Sequence, residues 1–83
     1  MKKGESVFIR SVTYHYVGRV SRVTRSWVHL EDASWVADSG RFGAALATGS
    51  LSEVERMPGV VRVARGAIVD VSEWRHSLPV ETR

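Results

Sequence analysis

The chain has 83 residues and no cysteine, with 12 basic and 9 acidic side chains giving a net charge of +3. A chain this short supports one small core, and the missing cysteines exclude a disulfide framework, a thiolate metal site, an iron–sulfur cluster and a thiol nucleophile. A hydrophobic share of 43% and a charged share of 25% are those of a globular domain, neither disordered nor membrane-spanning.

Met1-Lys2-Lys3 is followed by Gly4-Glu5-Ser6 where a signal peptide needs an apolar run, so a cytoplasmic protein without a membrane segment is expected. Valine supplies 14 residues while strong helix formers are sparse, and this composition favours strands. Three strands are expected at Val7 to Ser11, Tyr14 to Val23 and Trp27 to Val36, joined at Ser11-Val12-Thr13 and Thr24-Arg25-Ser26. A three-residue second turn would set Val23 opposite Trp27, Val20 opposite Leu30, Arg19 opposite Glu31 and Val17 opposite Ala33. Apolar residues then fall on both faces, and a bent strand, a helix or a neighbouring subunit must cover the second one. Gly18 lies mid-strand, where glycine marks a kink or a close backbone approach.

From Asp38 the strand pattern stops. Ser39 to Thr48, with an N-cap at Asp38 or Ser39 and Gly49 as the stop, reads as a short helix near residues 40–48. Leu51 to Met57 is ambiguous between strand and turn, and Pro58-Gly59 marks a turn. Val60 to Arg65 and Ala67 to Val71 read as two further strands broken at Gly66, and residues 77–83 as a flexible tail. The chain is thus expected to be mainly β, a single domain over residues 1–83 forming a five-stranded SH3-like barrel, with residues 38–59 as an insertion carrying the helix.

Gly18-x-Val20 followed by Val28-x-Leu30-Glu31-Asp32-Ala33, and later Arg65-Gly66-Ala67-Ile68-Val69-Asp70-Val71, resemble the two sequence motifs of the Sm-like family, which includes bacterial Hfq. The isoleucine follows Arg65-Gly66 at the Hfq spacing, and Gly66 stands where Hfq has an RNA-contacting histidine. The resemblance spans some 45 residues and implies a divergent bacterial or phage relative with an insertion between its third and fourth strands. It also implies a closed homo-oligomeric ring of about five to seven subunits, made by pairing the fourth strand of one copy with the fifth of the next. Edge pairing of this kind would protect valine-rich strands from uncontrolled association.

Ten of the 12 basic residues are arginine, whose planar guanidinium suits phosphate and stacked bases better than lysine does. Arg25, Trp27, Arg62 and Arg65 are the candidate residues for single-stranded RNA, a tryptophan to stack a base beside cations for its phosphates. Two structural alternatives stay open: Trp27 packing on Val23 or a neighbouring subunit, and Arg62 and Arg65 pairing across a subunit interface with Glu53, Glu55 or Asp70. Phe42 and Leu46 are the candidate interface for a protein partner, in a reading where the ring is structural and binds no nucleic acid; their alternative is to cap the barrel. Trp74, in Glu73-Trp74-Arg75-His76, reads either as a recognition strip or as the anchor of the terminal strand. His15, His29 and His76 are scattered without metal-ligand spacing, and no Gly-x-Ser-x-Gly elbow occurs among the ten serines. No enzyme activity, cofactor or metal is expected.

Overall fold

A computed structural model describes residues 1–12 and 14–82. Its strands are β1 (Ser6–Ser11), β2 (His15–Val23), β3 (Trp27–Asp38), β4 (Glu53–Arg56), β5 (Val61–Ala64) and β6 (Ile68–Glu73). One helix, α1 (Phe42–Thr48), lies between β3 and β4, and a single 3-10 turn (Arg65–Ala67) joins β5 to β6. All strand pairs are antiparallel in one sheet of order β4-β3-β2-β1-β6, and β5 also pairs with β3. Among the described residues the sheet has six strands, one more than the five expected, because Glu53–Arg56 joins it, and the sheet is not closed.

β3 organises the molecule because its 12 residues exceed the length of any single neighbour. β2 pairs along one edge from Val28 to Val36, while the other edge is shared by β5 at Trp27–Leu30 and β4 at Ser34–Asp38. Between those halves Asp32 takes a positive φ of 49°, rare for a residue with a Cβ, and two consecutive side chains, Glu31 and Asp32, point away from the buried face. The bulge bends β3 and divides its outer face in two. Opposite the bend, Gly18 brings β2 so close that a Cβ there would lie 3.0 Å from Ala33 Cβ and 3.1 Å from its Cα. Glycine therefore serves the close approach expected of it.

The register of β2 on β3 agrees with the sequence reading at Arg19↔Glu31 and Val20↔Leu30. Bulges between Val17 and Arg19 and between Val20 and Arg22 shift both flanks by one residue, so Val17 faces Ser34 and Val23 faces Val28. The second turn is closed by the Thr24 N–H donating to Trp27 O at 2.8 Å. In the first turn the Ser11 N–H donates to Tyr14 O, and Thr13, expected in that turn, lies outside the described residues.

Curling of the sheet creates two cores. On the concave side Val7, Ile9, Val20, Val28, Leu30, Ala33 and Val63 are buried together. On the outer side Phe8, Val17, Val36 and Val54 meet Ala45, Leu51 and Trp74. A helix and the terminal segment thus cover half of the second face. Fully buried side chains such as Phe8, Ile9 and Leu30 each contribute about 1.5–3 kcal/mol by leaving water, so both cores matter in so short a chain.

Helix α1 starts later than its cap signals suggest. Asp38 Oδ1 accepts the Gly40 N–H at 2.7 Å in a local turn, leaving Arg41, extended and without a side-chain cap, before Phe42. Its stop is the expected one: Gly49 has φ 78° and donates to Ala45 O, and its absent side chain leaves room for the His76 ring. Gly66 has neither a positive φ nor a close neighbour, so the 3-10 turn at the break does not require glycine. Beyond β6, Leu78 packs on the outer core and Thr82 Oγ1 accepts the Arg56 N–H at 3.1 Å.

Candidate nucleic-acid interface

The half of the outer face that α1 leaves open is built by the β2–β3 turn and by β5. Trp27 opens β3 opposite Ala64, and His29 stands opposite both Arg22 on β2 and Arg62 on β5. Val28, Leu30, Val61 and Val63 point into the concave core, so alternation turns Trp27, His29 and Arg62 outward. The Arg62 guanidinium carbon lies 5.8 Å from the centroid of the Trp27 ring, within cation–π range. Arg65 joins them through two hydrogen bonds, its backbone N–H to Ser26 O at 2.9 Å and its guanidinium Nη1 to Thr24 O at 3.0 Å. Arg25 lies in the same turn, exposed.

Arg25, Trp27, Arg62 and Arg65 therefore occupy one surface although 40 positions of sequence separate the first from the last. Trp27 is 42% exposed and outside both cores, which leaves part of its ring open to solvent beside Arg62. Arg22 and His29 complete the surface. Sequence reading misses them because an unbulged register sets Arg22 opposite Val28, and only the bulge after Val20 aligns Arg22, His29 and Arg62 across three strands.

The arginines divide by partner. Arg10 pairs with Asp70, Arg19 with Glu31 and Asp32, Arg56 with Asp32, and Arg75 with Glu73. Among the described residues, Arg22, Arg25, Arg41, Arg62 and Arg65 form no ion pair with a carboxylate, and of these only Arg41, just before α1, lies away from the open face. Within the chain Asp70 pairs with Arg10 while Glu53 and Glu55 lie on β4, so a pair of Arg62 or Arg65 with any of them would join two subunits. Hydrogen bonding from Arg19, assisted by Arg56, holds the Asp32 carboxyl below the usual aspartate range, and Arg10 does the same to Asp70. Most of the chain's paired acidic charge is thus set around the bend and on β6, while the open face keeps its positive charge.

Phe42 and Leu46 are half-buried and pack on the outer core. The Phe42 ring lies 5.3 Å from Phe8, with the Arg10 guanidinium 4.3 Å from its centroid, so both residues help to attach α1 to the sheet. Trp74 is 3% exposed, stacks near Phe8 and His76, and donates its indole N–H to Ser77 O; it anchors the end of the chain. No cluster of metal-ligating side chains occurs among the described residues, and no helix among them is long and apolar enough to cross a membrane. Comparison with protein-family models, with curated proteins and with solved structures finds no match to this chain.

Proposed function

We propose that this chain is a non-enzymatic Sm-like barrel that binds single-stranded RNA on the open outer face of β2, β3 and β5. The barrel is the five-stranded set β1, β2, β3, β5 and β6, and α1 with β4 forms the insertion. The observation that carries the reading is the convergence of Arg22, Arg25, Arg62 and Arg65, unpaired by carboxylates among the described residues, around an exposed Trp27 on a chain of only +3 net charge. Trp27 offers a stacking platform and the arginines neutralise adjoining phosphates, a combination that tolerates sequence because every base has a π face. Measuring the anisotropy of a fluorescent uridine-rich or adenine-rich oligonucleotide against salt tests this directly. Four phosphate contacts give a slope near −2.8 in log affinity against log salt, or about a 50-fold loss between 50 and 200 mM. Undetectable binding at the lower salt overturns the reading.

The same barrel assembles into a homo-oligomeric ring of about five to seven copies. Support comes from β5 and β6, each paired along one edge only among the described residues, and from Val69 and Val71 exposed on β6. Light scattering should give a multiple of the 9.2 kDa chain mass, and a monomer at micromolar concentration removes the ring. The structural or protein-binding alternative, through Phe42 and Leu46, has less support because those side chains are engaged with Phe8 and its neighbours.

A further inference from the structure

At the opposite end of β3, on the concave face, a pocket of about 250 Å³ is lined by Tyr14, Tyr16, Trp35, Glu55 and Met57. Tyr16, Trp35 and Glu55 are successive register partners across β2, β3 and β4, so their side chains leave the sheet on one side. Tyr14, 49% exposed just before β2, stands edge-on to Trp35 with ring centroids 5.5 Å apart at 82°. Two rings at right angles form a corner, a second tyrosine and a thioether extend it, and one carboxylate stands at its side. Glu55 forms no ion pair among the described residues.

That chemistry selects its guest. Aromatic faces attract positive charge through their quadrupoles, and a carboxylate reinforces the attraction. A nucleotide would meet Glu55 with its own negative charge, and among the described residues no basic side chain lines the pocket to offset it. An unmodified ammonium brings three N–H donors, more than one carboxylate beside aromatic walls can satisfy after dehydration. Methyl groups on the nitrogen remove those donors, keep the charge, and add apolar surface matching the rings and Met57.

We infer that the pocket of Tyr14, Tyr16, Trp35, Glu55 and Met57 binds a methylated ammonium group, of the kind carried by choline or by a trimethylated lysine side chain. The site is separate from the basic face and does not rest on RNA binding. The full chain, labelled with nitrogen-15, is titrated with choline and followed at the Trp35 indole N–H, assigned with Trp35→Phe. Saturable shifts at millimolar choline are expected, with binding of the uncharged carbon isostere weaker by about tenfold or more, and with Glu55→Gln, at an exposed strand position, weakening choline about threefold. A peptide bearing one trimethyllysine distinguishes the sources: tighter binding than choline assigns the pocket to a protein side chain, equal or weaker binding to a small molecule. The inference is overturned if the isostere binds as well as choline, if neither cation moves Trp35, or if adenosine monophosphate moves it and choline does not.

Discussion

Replacing Trp27 by alanine should separate recognition from stability. The side chain is 42% exposed and belongs to neither core, while its backbone pairing with Ala64 and Thr24 is unaffected by the substitution. Truncating a fully buried tryptophan costs about 3–5 kcal/mol; at this exposed site, with the Arg62 interaction lost as well, about 1 kcal/mol is expected. In a domain of this size that lowers the melting temperature by about 4–8 °C. For RNA the loss is of a stacked base, about 1–3 kcal/mol or roughly 5- to 150-fold in affinity, and Trp27→Phe should retain most of it. Calorimetry and oligonucleotide anisotropy on the same preparations give the two numbers. A double-mutant cycle with Arg62→Ala should show coupling, because the guanidinium stands 5.8 Å from the ring. Affinity unchanged within about twofold, with a melting temperature lowered as for a core residue, would refute the assignment and make Trp27 a packing residue.

Trp74→Ala removes a ring only 3% exposed and should cost about 3–5 kcal/mol, unfolding much of the population or lowering the melting temperature by more than about 12 °C; a change under about 1 kcal/mol in denaturant titration would contradict its anchoring role. Gly18→Val brings its Cβ to 3.0 Å from that of Ala33 and adds two methyl groups beyond it, and should destabilise by about 1–3 kcal/mol; an unchanged denaturation midpoint would show that β2 and β3 separate freely. Arg10 depresses the Asp70 carboxyl below its ordinary value of 3.8, so the folded state binds that proton less readily than the unfolded state. The pair's contribution is present above that value and is lost as pH falls through the depressed one. Asp70→Asn should therefore flatten the melting temperature's fall below about pH 4, and an identical acid limb would contradict the pairing.

Most strands are legible in the sequence because valine recurs along β1, β2 and β3 and because Pro58-Gly59 and Gly66 bound the two later valine-rich segments. β4 is ambiguous there since Glu53-Val54-Glu55-Arg56 offers one apolar residue, Val54, and becomes a strand by tertiary pairing with β3. The helix start escapes the cap rules because Asp38 spends its capping oxygen on a local turn at Gly40. Four of the six residues of the basic face can be read from the nearness of Arg25 to Trp27 and of Arg62 to Arg65 along the chain. Arg22 and His29 cannot, because a one-residue bulge decides their alignment. The aromatic pocket leaves no local signal, since Tyr14, Trp35 and Glu55 meet only through the register of three strands.

Three tryptophans in three settings provide the most direct measurement, with Trp27 on the open basic face, Trp35 in the aromatic pocket and Trp74 in the outer core. Their indole N–H signals can be followed together while nitrogen-15 labelled chain is titrated with a uridine-rich oligonucleotide at low salt. RNA binding on the β2–β3–β5 face predicts a saturable shift of the Trp27 signal, reversed by added salt, with Trp35 and Trp74 unmoved. Absence of any shift, or movement of Trp35 or Trp74 without Trp27, would contradict it.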